Sequence, residues 1–534
     1  MNNHKIGGCC QCGDSSSPFH IAHSRRSFIR NGASFAAALG AANASPLQAL
    51  GADQTPPAWF LSDWNPGERF LTWGKPLRIQ PILMYASPQP REMTSWRSWG
   101  GVLSDASAAE EVERIAKELQ VLKSKAEFPI ELAPVQKAKT PEETAAILMG
   151  EFDAVLLYPA SGSGRLLQAC VAPDRDALIF VRHRSGPVYY WYEALSAVYL
   201  QTDKEQPNQE PPRLGKTHVD DVVVDDYDDV LWRLRALYGV KNLKNSAIVA
   251  LGGVWGKYAA DAPEIARKQW GMNIIEIGYS AIEPRIRQAL ADNARMAKAE
   301  KQASQYLAMS GVSLETGKSF VVNAFVLYEL FKELMLENNA PAFTIKECMS
   351  TIIPMAKTTA CLSLSLLNDE GLLAFCESDF VVIPAGVLMR HIVNAPVFLH
   401  NSTFPHKGVV TCAHCSAPRR MNGDRYEPVR ILTHEESDYG AAPKVEIPIG
   451  QQVTFIDPEY TKGRWVGMRG NVEDNPFLPI CRSQQDVRIQ GNWKKLLNEV
   501  RDSHWLMAYG DCLNEIGYAA RKLGVRWDNI TDEA

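Results

Sequence analysis

The chain has 534 residues, 46% hydrophobic and 22% charged, with 13 Trp, 17 Tyr and 18 Phe, which is too apolar for disorder and too long for one small domain. Its 36 Gly and 32 Pro exclude collagen-like and low-complexity classes. With 56 Lys and Arg against 61 Asp and Glu, the formal net charge is −5, so no basic excess can displace counterions from a nucleic acid, and no nucleic-acid partner is expected.

At the N-terminus, Ser24-Arg25-Arg26-Ser27-Phe28 precedes an Ala-rich, weakly apolar stretch from Ala33 to Ala44. The pattern reads as a twin-arginine export signal over residues 1–44, with Ala42-Asn43-Ala44 as the cleavage site. The stretch falls short of the roughly 20 apolar residues that a membrane span needs. The other candidates, Phe320–Leu336 and Phe380–Leu388, are interrupted by charge or too short. The expectation is an exported protein, periplasmic or extracellular, with no membrane span once the signal is removed. The twin-arginine route carries folded proteins, which leans toward a metal- or cofactor-loaded enzyme.

From residue 45, strand and helix patterns alternate: strands at Leu77–Leu83, Ile130–Leu132, Asp153–Tyr158 and Ala177–Val181, with helices at Ala106–Ala126, Pro141–Gly150 and after Ser161-Gly162-Ser163-Gly164. This predicts a parallel α/β domain over 45–215, with Gln201–Arg213 as a linker or a long excursion. Acids at Asp220, Asp221, Asp225, Asp226, Asp228 and Asp229 lack calcium-loop spacing and suit the start of a helix. A second α/β domain is expected over 216–385. Its strands are Ser246–Leu251, Asn273–Ile277 and the strand-like runs Cys361–Leu367 and Leu372–Cys376, and its helices are Asp261–Trp270, Pro284–Met309 and Ser319–Asn338. After a further run at Val397–Leu399, residues 386–534 read as antiparallel β, with strands at Val409–Cys412, Pro428–Leu432, Val445–Ile449 and Val453–Ile456 and a closing helix near Cys512–Leu523.

The eight cysteines after the signal are scattered, unlike a disulfide scaffold. Cys412-Ala413-His414-Cys415 is a C-x-x-C without a second pair to complete a zinc site, and reads as buried or loop thiols. Leu251-Gly252-Gly253-Val254-Trp255-Gly256, with Glu276 ending the next strand, imitates a dinucleotide fingerprint. Its register puts Leu251 where the tight turn needs glycine, so an ordinary strand–helix turn is expected and no cofactor-binding residue is assigned.

The most informative block is Leu372-Leu373-Ala374-Phe375-Cys376-Glu377-Ser378-Asp379, an apolar strand ending in two acids, at the kind of strand end where α/β proteins assemble their sites. Far downstream, His504 precedes the apolar run Trp505–Ala508. Two carboxylates and a neutral imidazole suit Mn²⁺ or a similar divalent ion. The order of Thr344-Ile345-Lys346-Glu347-Cys348, Leu367–Leu372, Cys376-Glu377-Ser378-Asp379, Thr411–Cys415 and His504–Asp511 resembles the L-fucose/L-arabinose isomerase superfamily, in particular a branch of exported, twin-arginine-tagged members. In layout the resemblance covers Leu77 to Val525; the distinctive motifs are confined to the C-terminal part.

The resemblance implies two Rossmann-like parallel-sheet domains followed by a β-rich C-terminal domain, a small carbohydrate substrate and a homo-oligomer. It also implies Mn²⁺ or another divalent metal held by Glu347, Asp379 and His504, with Glu347 and Asp379 as catalytic carboxylates. Asp379 is carried over from the Cys-Glu-x-Asp match and His504 from the His-x-x-x-x-Tyr-Gly match. Glu347, on the strand before, could equally be a solvated residue beside Lys346. The expected activity is aldose–ketose isomerisation through an ene-diol. The alternatives are a non-catalytic periplasmic carbohydrate-binding protein of the same fold and an NAD-dependent carbohydrate oxidoreductase.

Overall fold

A computed structural model describes residues 57, 60, 63–171, 174–189, 194–202, 214–459, 463–499 and 503–531. The expected export signal, with Arg25 and Arg26, lies outside the described residues, as does almost all of the expected linker. The chain divides into two compact units, Gly74–Lys241 and a second built from Met1–Trp73 with Asn242–Ala534.

In the first unit, β1 (Leu77–Met84), β2 (Ile130–Leu132), β3 (Gln136–Ala138), β4 (Ala154–Pro159), β5 (Asp176–Val181) and β6 (Val222–Val224) form one sheet, ordered β2-β1-β4-β5-β6 with β3 also against β1. Every pairing is parallel. The central strands are near-continuous apolar runs because helices cover both faces of such a sheet, and all six residues of β4 are buried. Helix Asp105–Lys125 starts at a capping box between Ser104 and Ser107. The boundary expected at 215 is not where this unit ends: β6 pairs with β5, so the sheet takes in residues on both sides of it.

The second unit holds β7 (Ala247–Leu251), β8 (Asn273–Ile277), β9 (Val312–Leu314), β10 (Ala342–Ile345), β11 (Leu373–Cys376), β12 (Phe398–Ser402), β13 (Val409–His414), β14 (Val429–His434), β15 (Tyr439–Val445), β16 (Gln452–Glu459), β17 (Arg464–Asp474), β18 (Ser483–Ile489), β19 (His504–Tyr509) and β20 (Arg526–Asn529). A parallel four-stranded sheet runs β11-β10-β7-β8. Strands β16-β19-β12-β13-β18-β17 pair in that order, and β16 also pairs with β17, which closes a barrel; β20 adds to β17 in parallel. A three-stranded sheet, β15-β14-β9, completes the unit. The protein is therefore mixed α/β, with two parallel sheets and a β-rich C-terminal region.

Residues expected to form separate domains over 216–385 and 386–534 share one hydrophobic core here: Val249 and Phe343 of the parallel sheet lie in the same cluster as Phe455 and Trp505 of the barrel. Helix Lys318–Glu337 runs through that core and is buried over most of its circumference. Its interior acids are paired, as buried charges must be. Glu329 meets Lys298 at 2.7 Å, Glu333 meets Arg285 and Arg295 at 2.8 Å, and Lys332 meets Glu370 at 2.6 Å.

Three local expectations change. Cys361–Leu367 belongs to a helix, Cys361–Glu370, buried on every side, so its uniform apolarity hid the helical period. The helix expected at Pro284–Met309 is two, Tyr279–Ala291 and Asn293–Leu307, divided at Asp292, whose carboxylate caps the second through the amides of Ala294 and Arg295. The strand expected at Val445–Ile449 lies earlier, at Tyr439–Val445. Among the described residues no single helix is long and apolar enough to cross a membrane.

Candidate active site

In the parallel sheet Leu251 lies beside Ile345 and Ile345 beside Cys376, so the segments following β7, β10 and β11 leave the same carboxyl edge. The chain places β8 on one side of β7 and β10 and β11 on the other. Open α/β sheets form their clefts at such a divergence. Glu347, Glu377 and Ser378 all carry positive φ, at 56°, 68° and 50°. Left-handed backbone is uncommon for residues with a Cβ, and it concentrates where function constrains the chain.

These turns aim Glu377 and Asp379 at one imidazole. The β11 strand ends at Cys376, but the backbone re-forms a single parallel bridge between Asp379 and Trp255. Phe380 N–H donates to the Trp255 carbonyl at 3.0 Å, and the Trp255 indole N–H donates to the Glu377 carbonyl. Thr344 supports the turn from the neighbouring strand, its hydroxyl accepting from Ser378 N–H and donating to the Phe375 carbonyl, both at 3.1 Å. Asp379 is wholly buried. Its Oδ1 accepts from the amides of Lys257 at 3.0 Å and Val381 at 3.1 Å, and its Oδ2 lies 2.7 Å from His504 Nδ1.

His504, the first residue of β19, is also wholly buried. Its Nε2 lies 3.2 Å from Glu377 Oε2, and Glu377 Oε1 lies 3.6 Å from His414 Nε2 on β13. The Nδ1 of His414 is 3.1 Å from the Ser416 hydroxyl. The order is therefore His414–Glu377–His504–Asp379. Burial alone would lower the His504 pKa, but the two flanking carboxylates hold it up to about 9. Glu377 is pressed the other way: burial would raise it, yet His504 and His414 hold it well below the usual carboxylate range. A third imidazole, His400 on β12, is pushed down to about 3 by burial and by the charges of His414 and His504, so it stays neutral.

Asp379 and His504, expected as ligands, are thus in direct contact. Glu347 stands at the same sheet edge, one residue ahead of helix Cys348–Ala356, with its carboxylate 43% exposed and 3.7 Å from Lys346 Nζ. The partner that sequence reasoning left out is Glu377, although it stands in the same Glu-x-Asp block. His414 was visible only as an interior residue of the C-x-x-C, and nothing in the sequence around His400 marked it. The glycine turn after β7 carries no phosphate cradle. The next helix, Ala262–Trp270, begins well after the glycines, and Glu276 is engaged by Arg267 at 2.7 Å.

Among the described residues, the group of three metal-ligand side chains with every donor atom within 4.8 Å of the others lies elsewhere, at Cys361, Cys415 and His434. No protein-family model and no curated protein matches the chain.

Proposed function

We propose that the chain is an aldose–ketose isomerase-like enzyme acting on a small carbohydrate at the carboxyl edge of the β7–β11 sheet. One observation carries the reading: a fully buried imidazole held between two carboxylates at the carboxyl edge of the parallel sheet, with a third, accessible carboxylate at the same edge.

The residue types are those of a site for a hard divalent ion such as Mn²⁺, but their arrangement does not fit one: His504 sits between the acids with Nδ1 at Asp379 and Nε2 at Glu377, on opposite sides of the ring, and the two carboxylates keep it protonated. No step is therefore routed through an ion, and the His504 imidazolium stands as a fixed positive charge at the edge from which Glu347 also rises. The chain's own residues do the remainder. The Lys257 and Val381 amides lock Asp379, the Thr344 hydroxyl fixes the Ser378 turn, and His414 orients Glu377. Glu347, the accessible carboxylate, takes the proton from the carbon beside the carbonyl and returns it to the neighbouring carbon. Support for export and for an oligomer is confined to the sequence pattern and the family resemblance.

The test is exchange of substrate C–H with deuterated solvent, followed across a panel of aldoses and ketoses with Mn²⁺-supplemented protein. Glu347→Gln should abolish exchange while the His504 pKa stays raised, whereas Asp379→Asn should lower that pKa and weaken exchange. No exchange from any sugar in the panel would refute the proposal.

A further inference from the structure

Cys361, Cys415 and His434 come from three separated elements: the first turn of helix Cys361–Glu370, the residue after β13, and the last residue of β14. All three are buried, with their donor atoms mutually within 4.8 Å. A fourth donor adjoins them. Cys481, just before β18, packs in the same small cluster as Cys361 and Cys415, and the Cys415 thiol is hydrogen-bonded to both. From these residues we infer a structural zinc site with Cys361, Cys415, Cys481 and His434 as ligands.

Three thiolates and one imidazole form a soft, closed, four-coordinate set, which favours Zn²⁺ over the oxygen-seeking Mn²⁺ or Mg²⁺. Tetrahedral zinc with bonds of about 2.3 Å to sulfur sets its sulfur atoms about 3.8 Å apart, so the spacing of Cys361, Cys415 and His434 needs a contraction of about 1 Å or less, with Cys481 moving in from beside Cys415. His434 supplies a second, independent indication. Its ring is 1% exposed, yet its Nδ1 has no hydrogen-bond partner among the described residues. A buried ring nitrogen without a partner is costly unless something else binds it. The protein environment also suits thiolates. Cys361 sits at a helix N-terminus, where the backbone dipole favours negative charge. Without an ion, the thiol–thiol hydrogen bonds and burial raise Cys415, and burial lowers His434.

The C-x-x-C itself does not close on one ion. Cys412 lies in the large core cluster and Cys415 in the small one, so strand alternation divides the pair. It also puts His414, which faces Glu377, directly before Cys415. Zinc would tie β13, β14, the β18 entry and helix Cys361–Glu370 together and hold the end of β13 that presents His414. This site does not depend on the isomerase reading.

The experiment is elemental analysis of the full-length protein purified without chelator, with a parallel preparation loaded with Co²⁺. About one equivalent of zinc is expected, kept in Asp379→Asn and lost in Cys361→Ser and His434→Ala. Cobalt-loaded wild type should show a thiolate-to-cobalt charge-transfer band, a readout that needs no variant to fold. Absence of that band, zinc retained by both ligand variants, or a disulfide among the three cysteines in non-reducing peptide mapping would overturn the assignment.

Discussion

Replacing His504 with glutamine in protein freed of divalent ions isolates the imidazole as a buried cation. The amide can still donate one hydrogen bond, but it cannot carry charge between Glu377 and Asp379. His504 is wholly buried, so solvent gives no discount. Its pKa stands at about 9 against 6.5 for an ordinary histidine. At about 1.4 kcal/mol per unit, that difference of about 2.5 units is about 3 kcal/mol. The figure agrees with the roughly 3–5 kcal/mol that breaking a buried ion pair costs. A raised folded-state pKa gives stability that is fully present below the unfolded value and is lost as pH rises through the folded one. The wild-type advantage over His504→Gln should therefore be about 3 kcal/mol at pH 6 and close to zero by pH 10. His400, pushed down to about 3, contributes in the opposite direction only below pH 6.5, at the acid end of this range. Urea unfolding followed by tryptophan fluorescence at five or so pH values reads the difference directly. A difference that stays constant from pH 6 to pH 10 would refute the buried imidazolium.

Three further outcomes follow from particular contacts. Arg182, wholly buried, donates to Glu111 and to Glu118 at 2.6 Å, and Tyr189 donates to Glu111 at 2.6 Å, so Arg182→Met should leave buried Glu111 with only Tyr189 and the half-exposed Arg114 at 3.3 Å and cost about 3 kcal/mol by denaturant unfolding. Asp225 would be raised by burial, but the Ser185 hydroxyl and the His183, Arg184 and Ser185 amides hold it at about 2; its contribution is present above pH 4 and fades toward pH 2. Asp225→Asn should accordingly flatten the acid limb of the stability profile by about 1 kcal/mol after allowance for solvent screening. Gly252 has φ +84°, and a Cβ there would meet the Tyr279 ring at 2.6 Å and the Lys346 carbonyl at 2.8 Å; Gly252→Ala should lower stability by more than the ~1 kcal/mol that glycine freedom alone represents, measurable as a fall in Tm.

Local pattern alone determined much of the element map. Leu77–Leu83, Asn273–Ile277 and Leu372–Cys376 read as strands because short, apolar, β-branched or aromatic runs bounded by turn residues have few other stable forms. The strand-end acids Glu377 and Asp379 were legible for the same reason, since the end of such a run is visible before its neighbours are known. The environment of those acids was not. Whether Glu377 meets His504 and His414 depends on β19 and β13 closing a barrel against the parallel sheet, and strand partners far apart in sequence leave no periodic trace. Cys361–Leu367 was misread because a helix buried on every side loses its polar face, and with it the signal that distinguishes it from a strand. The four zinc donors show the same limit: Cys361, Cys415, His434 and Cys481 have no motif spacing, and only the tertiary fold, which buries their separate elements in one core, brings them within reach of a single ion.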